Sequence, residues 1–370
     1  MKILFDYRMA TWSGIGRYSR SLARALHKRD DIELCLIAMT GNILPDDFCD
    51  LQIIQADKHP LSAGGFRELR NAAAKVKPDV VHCTHITTPN LKGVMRSDGR
   101  TPPIVTTMHD LTPLLIDDVM SSLMKRAAYS GLNQRSLNWS KAVITPSEHT
   151  KSDIERFFPR AVSEGLITVI PLAADELLNV EPTRPATMEC LNPQFQANFL
   201  LSMGNTKAHK DIPTLLKAFE RLARSHLDLA LILVGDEPAG YLKQQLPADL
   251  QDRVQFSGAL SDENLVWLYQ RARALVFPSR YEGFGLPPLE AMSFGCPVIV
   301  ADAASLPEVV GDAGVLVAAG DVDGFTEAID QVLSDDSYAT KLEDCGLARA
   351  QQFSWSKTAE QTVAVYKSVL

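Results

Sequence analysis

Short apolar, β-branched runs alternate with stretches of helical length along almost the whole chain, and this alternation constrains the fold more than any other feature. The runs are Lys2–Asp6, Glu33–Ala38, Ile53-Ile54, Asp79–Cys83, Ile104–His109, Ala142–Thr145 and Ile167–Ile170. After an interruption they resume at Phe199–Met203, Leu229–Gly235, Val254–Gly258, Ala274–Pro278, Pro297–Val300 and Gly314–Val317. Such spacing predicts parallel strands covered by helices, an α/β fold of doubly wound sheets. Between Leu172 and Phe195 the periodicity is broken by Pro182, Pro185, Pro193 and polar residues, which marks a boundary. The chain's 370 residues also exceed one ordinary core. Two domains, 1–178 and 179–352, are therefore expected, followed by a terminal segment, 353–370. In that segment Ser354 or Ser356 can cap a helix that carries Ala359, Val363, Tyr366 and Leu370 on one face. So apolar a stripe must be buried.

Composition narrows the class. A hydrophobic fraction of 46% and a charged fraction of 22% are those of a soluble globular protein. The net charge of −8 is unevenly spread: residues 1–178 carry 22 Lys+Arg against 20 Asp+Glu, residues 179–370 only 15 against 25. The first half is thus the side suited to an anionic surface, and no nucleic-acid partner is expected. Cys35, Cys49, Cys83, Cys190, Cys296 and Cys345 form no CxxC pair, which argues against a disulfide framework or structural zinc site and for a reducing cytoplasm. MKILFDYR enters a strand without a signal-peptide apolar region, and no run approaches the ~20 apolar residues of a membrane span. Any membrane contact is expected to be peripheral.

Chemistry concentrates at Ser279–Met292, SRYEGFGLPPLEAM. Gly283 and Gly285 allow a turn with outward N–H groups, and Pro287-Pro288 suit the first turn of a helix, where a missing N–H costs little. The result is an anion-binding helix start with Glu282 in the loop and Glu290 about one turn inside. A phosphate on the amides and hydroxyls on the two carboxylates would suit a nucleotide sugar. On spacing alone the stretch is equally a plain strand-turn-helix with two solvated glutamates.

Ligands of doubly wound sheets sit beyond the carboxyl ends of the strands, where Asp6, His82, His85, His109, Asp110 and Ser147 collect. Gly14-Ile15-Gly16-Arg17-Tyr18-Ser19 opens the first helix. No acid ends the second strand, so a nicotinamide cofactor is not expected, and the glycines serve either a substrate's approach or a tight turn alone. His82-Cys83-Thr84-His85 lacks third and fourth metal ligands nearby. His109, with Asp110 beside it, can donate to a substrate hydroxyl or leaving oxygen, or be a satisfied core histidine. Lys207 and Lys210 precede a helix at Ile212, where they can hold a diphosphate as point charges or be surface lysines. Lys125, Arg126 and Arg135 among Leu123, Met124 and Tyr129, with Arg156-Phe157-Phe158, read as a solvated face or as a rest for anionic headgroups.

In order and spacing these motifs resemble family-4 retaining glycosyltransferases of the GT-B type, along nearly the whole chain. The resemblance rests on GIGRY at 14–18, Met108-His109-Asp110-Leu111, Thr145-Pro146-Ser147, Gly204-Asn205 through His209-Lys210-Asp211, Phe256-Ser257-Gly258, the 278–292 stretch, Leu306-Pro307-Glu308 and Phe353-Ser354-Trp355. It implies two Rossmann-like domains facing across a cleft, the first for acceptor and the second for nucleotide sugar, with the last helix crossing back to the first. It implies that His109, Glu282 and Lys210 are catalytic. Donor binding is expected from Gly16, Asn205, Lys207, Lys210, Ser257, Leu260, Glu282, the amides of Phe284, Gly285 and Leu286, and Glu290 on the ribose. Acceptor binding is expected from Arg17, Tyr18, His85, Asp110 and Ser147. Many relatives have Arg where this chain has Asn205, so Lys207 would supply that charge. No metal or other cofactor is expected; cationic groups would neutralise the departing diphosphate. Within the family GIGRY resembles mannosyl- and rhamnosyltransferases of bacterial surface polysaccharides. The expected reaction is transfer of a hexose, foremost mannose from GDP-mannose, to a saccharide or lipid-linked saccharide at the cytoplasmic side of the membrane. Another GDP- or UDP-sugar, carrying rhamnose, glucose or GlcNAc, is the alternative within the class. A nucleotide-sugar epimerase and a non-enzymatic sugar-nucleotide binder are the alternatives outside it.

Overall fold

The computed structural model describes residues 1–370 apart from Ile43, Asp118, Asn205 and Ala239, and the side chains of Ser13 and Lys243. The chain divides into two compact units, residues 1–172 with 355–370, and residues 173–354.

In the first unit, among the described residues, seven parallel strands lie in the order β3-β2-β1-β4-β5-β6-β7. They are β1 (Lys2–Asp6), β2 (Glu33–Met39), β3 (Gln52–Ala56), β4 (Val80–Cys83), β5 (Ile104–Thr107), β6 (Ala142–Thr145) and β7 (Ile167–Val169). Every residue of β4, β5 and β6 is buried, as expected of a parallel sheet covered on both faces. In the second unit six strands lie in the order β10-β9-β8-β11-β12-β13. They are β8 (Phe199–Met203), β9 (Ala230–Val234), β10 (Val254–Phe256), β11 (Ala274–Phe277), β12 (Val298–Asp302) and β13 (Val315–Ala318). In each sheet the order reverses once, between β1 and β4 and between β8 and β11. A crevice at the carboxyl ends of the strands opens at such a reversal.

The boundaries differ from the expected 178, read from prolines, and 352, read from the start of the terminal helix. Residues 173–178 belong to the second unit because the turn Asp175–Asn179 buries Leu177 there, against the helix Leu286–Ser293. Phe353 also stays with that unit, its ring 6.1 Å from Phe284 and beneath the Arg349 guanidinium.

The helix Trp355–Ser368 is part of the first unit, and Trp355, Ala359, Val363 and Tyr366 are buried there, whereas Leu370, expected on the same stripe, lies beyond the helix end and is 42% exposed. Thr358 donates to the Pro171 carbonyl at 2.9 Å. The Tyr366 hydroxyl meets His82 Nδ1 at 2.5 Å, and His82 Nε2 meets Thr107 Oγ1 at 2.8 Å. With both ring nitrogens engaged, His82 has none left for a metal. Tyr366→Phe would strand a buried ring nitrogen and is expected to cost about 1–3 kcal/mol in denaturant unfolding.

Burial pulls His82 down to about 3, and His85 likewise. Both are neutral when folded, whereas an unfolded histidine gains its proton near pH 6.5. The sign follows: stability is complete above about pH 6.5 and falls as pH drops toward 3, by about 1.4 kcal/mol per pH unit for each ring. A melting series over that window checks it.

Candidate functional site

In the second unit the loops after β8 and β11 flank the strand reversal. Pro278 closes β11, and Ser279, fully buried, donates to Glu282 Oε1 at 2.6 Å. Lys210 Nζ reaches the same oxygen at 2.7 Å, so the two loops meet in one carboxylate. The stem of Lys210 passes over Gly204, whose φ is +128 and where a Cβ would stand 3.2 Å from Lys210 Cδ. Arg280 N donates to the His209 carbonyl at 2.7 Å and Arg280 Nε to Asp211 Oδ2 at 2.9 Å, fastening the loops a second time. Sequence reasoning missed Ser279, Arg280 and Asp211; the serine directly after the strand-closing proline was the available signal.

The helix Leu286–Ser293 starts from Gly285, whose φ of 113 lies in the left-handed region. A helix start leaves four N–H groups without intrahelical partners, but Pro287 and Pro288 have none to offer. Open donors are therefore confined to the turn: among the described residues nothing accepts from the N–H groups of Phe284, Gly285 and Leu286. One turn on, Glu290 is 3% exposed and accepts from the Tyr269 hydroxyl at 2.8 Å. Tyr269 was not singled out from sequence, where it only ends an apolar helix, Asp262–Tyr269.

The other donor-side residues are placed as follows. Lys207 is exposed at the start of the turn Ala208–Lys210. Asn205 lies outside the described residues. Ser257 is engaged within the protein, its N–H on the Leu233 carbonyl and its hydroxyl on the Gly258 carbonyl, and Gly258 N–H bonds the Gly235 carbonyl. That leaves Ala259 and half-buried Leu260 to offer backbone groups at this edge. Gly16 belongs to the first unit and is there for close packing. A Cβ would stand 2.5 Å from the Ala10 carbonyl oxygen, whereas Gly14 faces open space.

At the strand reversal of the first unit, His109 follows β5 and its Nε2 lies 2.9 Å from the Thr84 carbonyl. A carbonyl only accepts, so Nε2 carries the proton. Burial lowers the His109 pKa, keeping the ring neutral with Nδ1 as an acceptor. The expected donor role is thereby revised: neutral His109 can receive a hydrogen bond from a substrate hydroxyl but not give one through Nδ1. Asp110 does not orient the ring; its Oδ1 accepts from Thr112 N at 2.8 Å. Tyr18 stands behind His109, centroids 4.8 Å apart, with its hydroxyl 2.7 Å from Thr107 Oγ1. At 1% exposure it buttresses the histidine and offers no surface to an acceptor, contrary to expectation. Ser147 caps the helix Glu148–Phe157, accepting from Thr150 N at 3.1 Å, which explains its burial without an acceptor. Arg17 is half-buried near the start of the first helix. His85 is 9% exposed beside His109, and its Nδ1 has no partner among the described residues, so it retains a hydrogen bond to give or accept.

Beneath these groups, Arg8 grips Asp6 with two bonds, 2.7 Å to Oδ1 and 2.8 Å to Oδ2, and donates to the Gly65 carbonyl at 2.7 Å. Thr87 adds a bond to Asp6 Oδ2 at 2.7 Å. Among the described residues no three His, Cys, Asp or Glu side chains converge as metal ligands.

Residues 12–176 match the model of Glycosyltransferase Family 4, and residues 186–349 match that of Glycosyl transferases group 1. An O-antigen chain mannosyltransferase B of Escherichia coli is 30% identical, over 99% of this chain and 100% of the relative. Among solved structures, sucrose-phosphate synthase from Thermosynechococcus elongatus has a TM-score of 0.78 at 22% identity, covering 100% of this chain and 99% of that one. HepE of Anabaena, solved in complex with UDP-glucose, has a TM-score of 0.72 at 22% identity, covering both chains fully at 100%.

Proposed function

The chain belongs to glycosyltransferase family 4 and is a hexosyltransferase built of two Rossmann-like domains, and from that premise we propose that it transfers mannose from GDP-mannose, with retention, to a saccharide or lipid-linked saccharide acceptor of a cell-surface polysaccharide. The observation that carries the donor site is the union of Lys210, Ser279 and Glu282 beside the three open amides of Phe284–Leu286. Donors for a diphosphate and an acceptor for sugar hydroxyls lie together at the switch point where such ligands bind. The mannosyl group is supported by the full-length relative, itself named a mannosyltransferase.

In the proposed reaction the bond from the anomeric carbon to the diphosphate oxygen breaks and the acceptor oxygen bonds to the same face. The acceptor's proton passes to the leaving diphosphate, so atoms and charge balance without an enzymic nucleophile. Lys210, with Lys207, stabilises the charge that grows on the diphosphate, and the amides of Phe284–Leu286 share it. Glu282 accepts from sugar hydroxyls, and in the first unit His109 Nδ1 is an acceptor for a substrate hydroxyl. Glu290 holds the ribose. Glu290→Ala is accordingly expected to weaken donor affinity about tenfold or more while changing kcat little, as loss of a hydrogen bond to a charged group implies. Titration calorimetry with GDP alongside initial rates separates the two parameters.

The neighbour in complex with UDP-glucose favours one second reading, a UDP-hexose donor. A thermal-shift panel of GDP-mannose, UDP-glucose, GDP and UDP decides between them. Among the described residues no helix is long and apolar enough to cross a membrane. Leu123 and Met124 are 81% and 83% exposed next to Lys125 and Arg126, which supports peripheral contact with anionic lipid during transfer to a lipid-linked acceptor. Co-sedimentation with phosphatidylglycerol but not phosphatidylcholine vesicles is the expected result.

A further inference from the structure

We propose that Ser305, on the loop after β12, is a positioning residue that fixes the glycine turn and aims its Gly285 amide at the donor's diphosphate; this rests on the donor site proposed above. Ser305 is fully buried, and its hydroxyl lies 2.7 Å from the Phe284 carbonyl and 2.9 Å from the Glu282 carbonyl. One hydroxyl proton therefore serves two carbonyls of one turn. The chain contains no cis peptide bond among its described residues. In a trans peptide the N–H points opposite to the C=O. Drawing the Phe284 carbonyl inward onto Ser305 turns the Gly285 N–H of the same peptide outward, and holding the Glu282 carbonyl fixes the Glu282–Gly283 peptide at the start of the turn.

The rest of the Ser305 loop is shaped to the turn. Leu306 fills the space where a Cβ on Gly285 would stand, 2.9 Å from Leu306 Cδ2. Ala304, the residue before Ser305, holds a φ of 51, a left-handed conformation rare for a residue with a side chain. Outliers of this kind gather where the surroundings over-determine a functional geometry. The helix itself cannot supply the missing donors, because two of its first positions are proline. Anion binding here depends on how the peptide groups of the turn are oriented, and Ser305 fixes two of them, including the one that carries the Gly285 N–H.

The test compares GDP with GMP, which lacks the second phosphate, by calorimetry on the full chain and its Ser305→Ala variant. Loss of the hydroxyl is expected to weaken GDP binding about tenfold, with GMP changed less than about twofold. Hydrogen exchange of the 282–286 segment is expected to rise in the free variant and to lose the protection that GDP gives. A purely structural serine would lower the melting temperature and leave the GDP-to-GMP ratio intact, and that outcome overturns the proposal. Ser305→Cys, which keeps a weak donor, is expected to fall between the two and is read by the same ratio should the alanine variant not fold. If the unaltered protein binds neither GDP nor UDP, the donor-site reading falls and takes this inference with it. If it binds GDP and Ser305→Ala binds it equally well, only the role of Ser305 falls.

Discussion

Lys210→Ala is expected to lower kcat/KM for sugar transfer by about a hundred- to a thousand-fold, the usual consequence of removing a preorganised group from developing charge. The ammonium is held in place by Glu282 at 2.7 Å and by Phe277, whose ring centroid is 5.3 Å from Nζ. It cannot swing freely, so no reorganisation is required when the diphosphate departs. Lys210→Arg is not expected to restore the rate, because a planar guanidinium cannot occupy the path over Gly204 as a point charge does. Glu282→Gln keeps the shape and an oxygen for Ser279 and Lys210 while removing the negative charge, and it separates loss of the ion pair from loss of the cation. Initial rates with donor and acceptor varied in turn give the result; a loss below about tenfold for Lys210→Ala removes this residue from the mechanism.

The largest stability effect is expected at Arg8. Asp6 and Arg8 are each 1% exposed, and the carboxylate's partners are Arg8 and Thr87. Arg8→Met leaves a buried carboxylate without its counter-charge, which costs about 3–5 kcal/mol. Replacing both residues, Asp6→Leu with Arg8→Met, is expected to recover most of that loss, since two apolar groups leave no charge to solvate. The pair also sets an acid limit. Burial alone would raise the Asp6 pKa, but the charge and hydrogen bonds of Arg8 outweigh it and the net shift is downward. A lowered folded-state pKa contributes stability above the unfolded value near pH 3.9, lost as pH falls through the folded value. Urea unfolding of the single and double variants at pH 7 and pH 4 tests both points. A cost below about 1 kcal/mol for Arg8→Met would contradict them.

Much of the fold was legible because parallel strands buried on both faces leave an unmistakable pattern. Each of β1 to β13 overlaps a run expected from sequence, and the helix at Trp355–Ser368 buries three residues of the stripe read from its spacing, Ala359, Val363 and Tyr366, while Leu370 falls outside it. The helices Val322–Ser334 and Asp336–Ala350 were not singled out, although Asp321 and Asp335 cap them in recognisable fashion. The domain boundary moved because prolines mark where the chain bends, whereas membership is decided by where Leu177 is buried and where Phe353 packs.

The site was legible where a motif is local and opaque where it is assembled. Glu282, Glu290 and the proline-flanked helix start could be read from one stretch. That Lys210 would bond Glu282, or that Ser305 would gather two carbonyls, is a matter of tertiary placement that no local spacing encodes. Tyr18 and Ser147 show the opposite error: polar residues at strand ends looked available, but one braces His109 and the other caps a helix. His109 kept its place at a strand tip, and only the Thr84 carbonyl revealed which ring nitrogen is left for a ligand.

One measurement tests the central claim most directly: product analysis by NMR after incubation with GDP-mannose, with and without a saccharide or lipid-linked saccharide acceptor. Expected is acceptor-dependent release of one GDP per mannosyl group transferred, with the α configuration of the donor kept in the new linkage. A β-linked product, or an epimerised nucleotide sugar formed without acceptor, would contradict it.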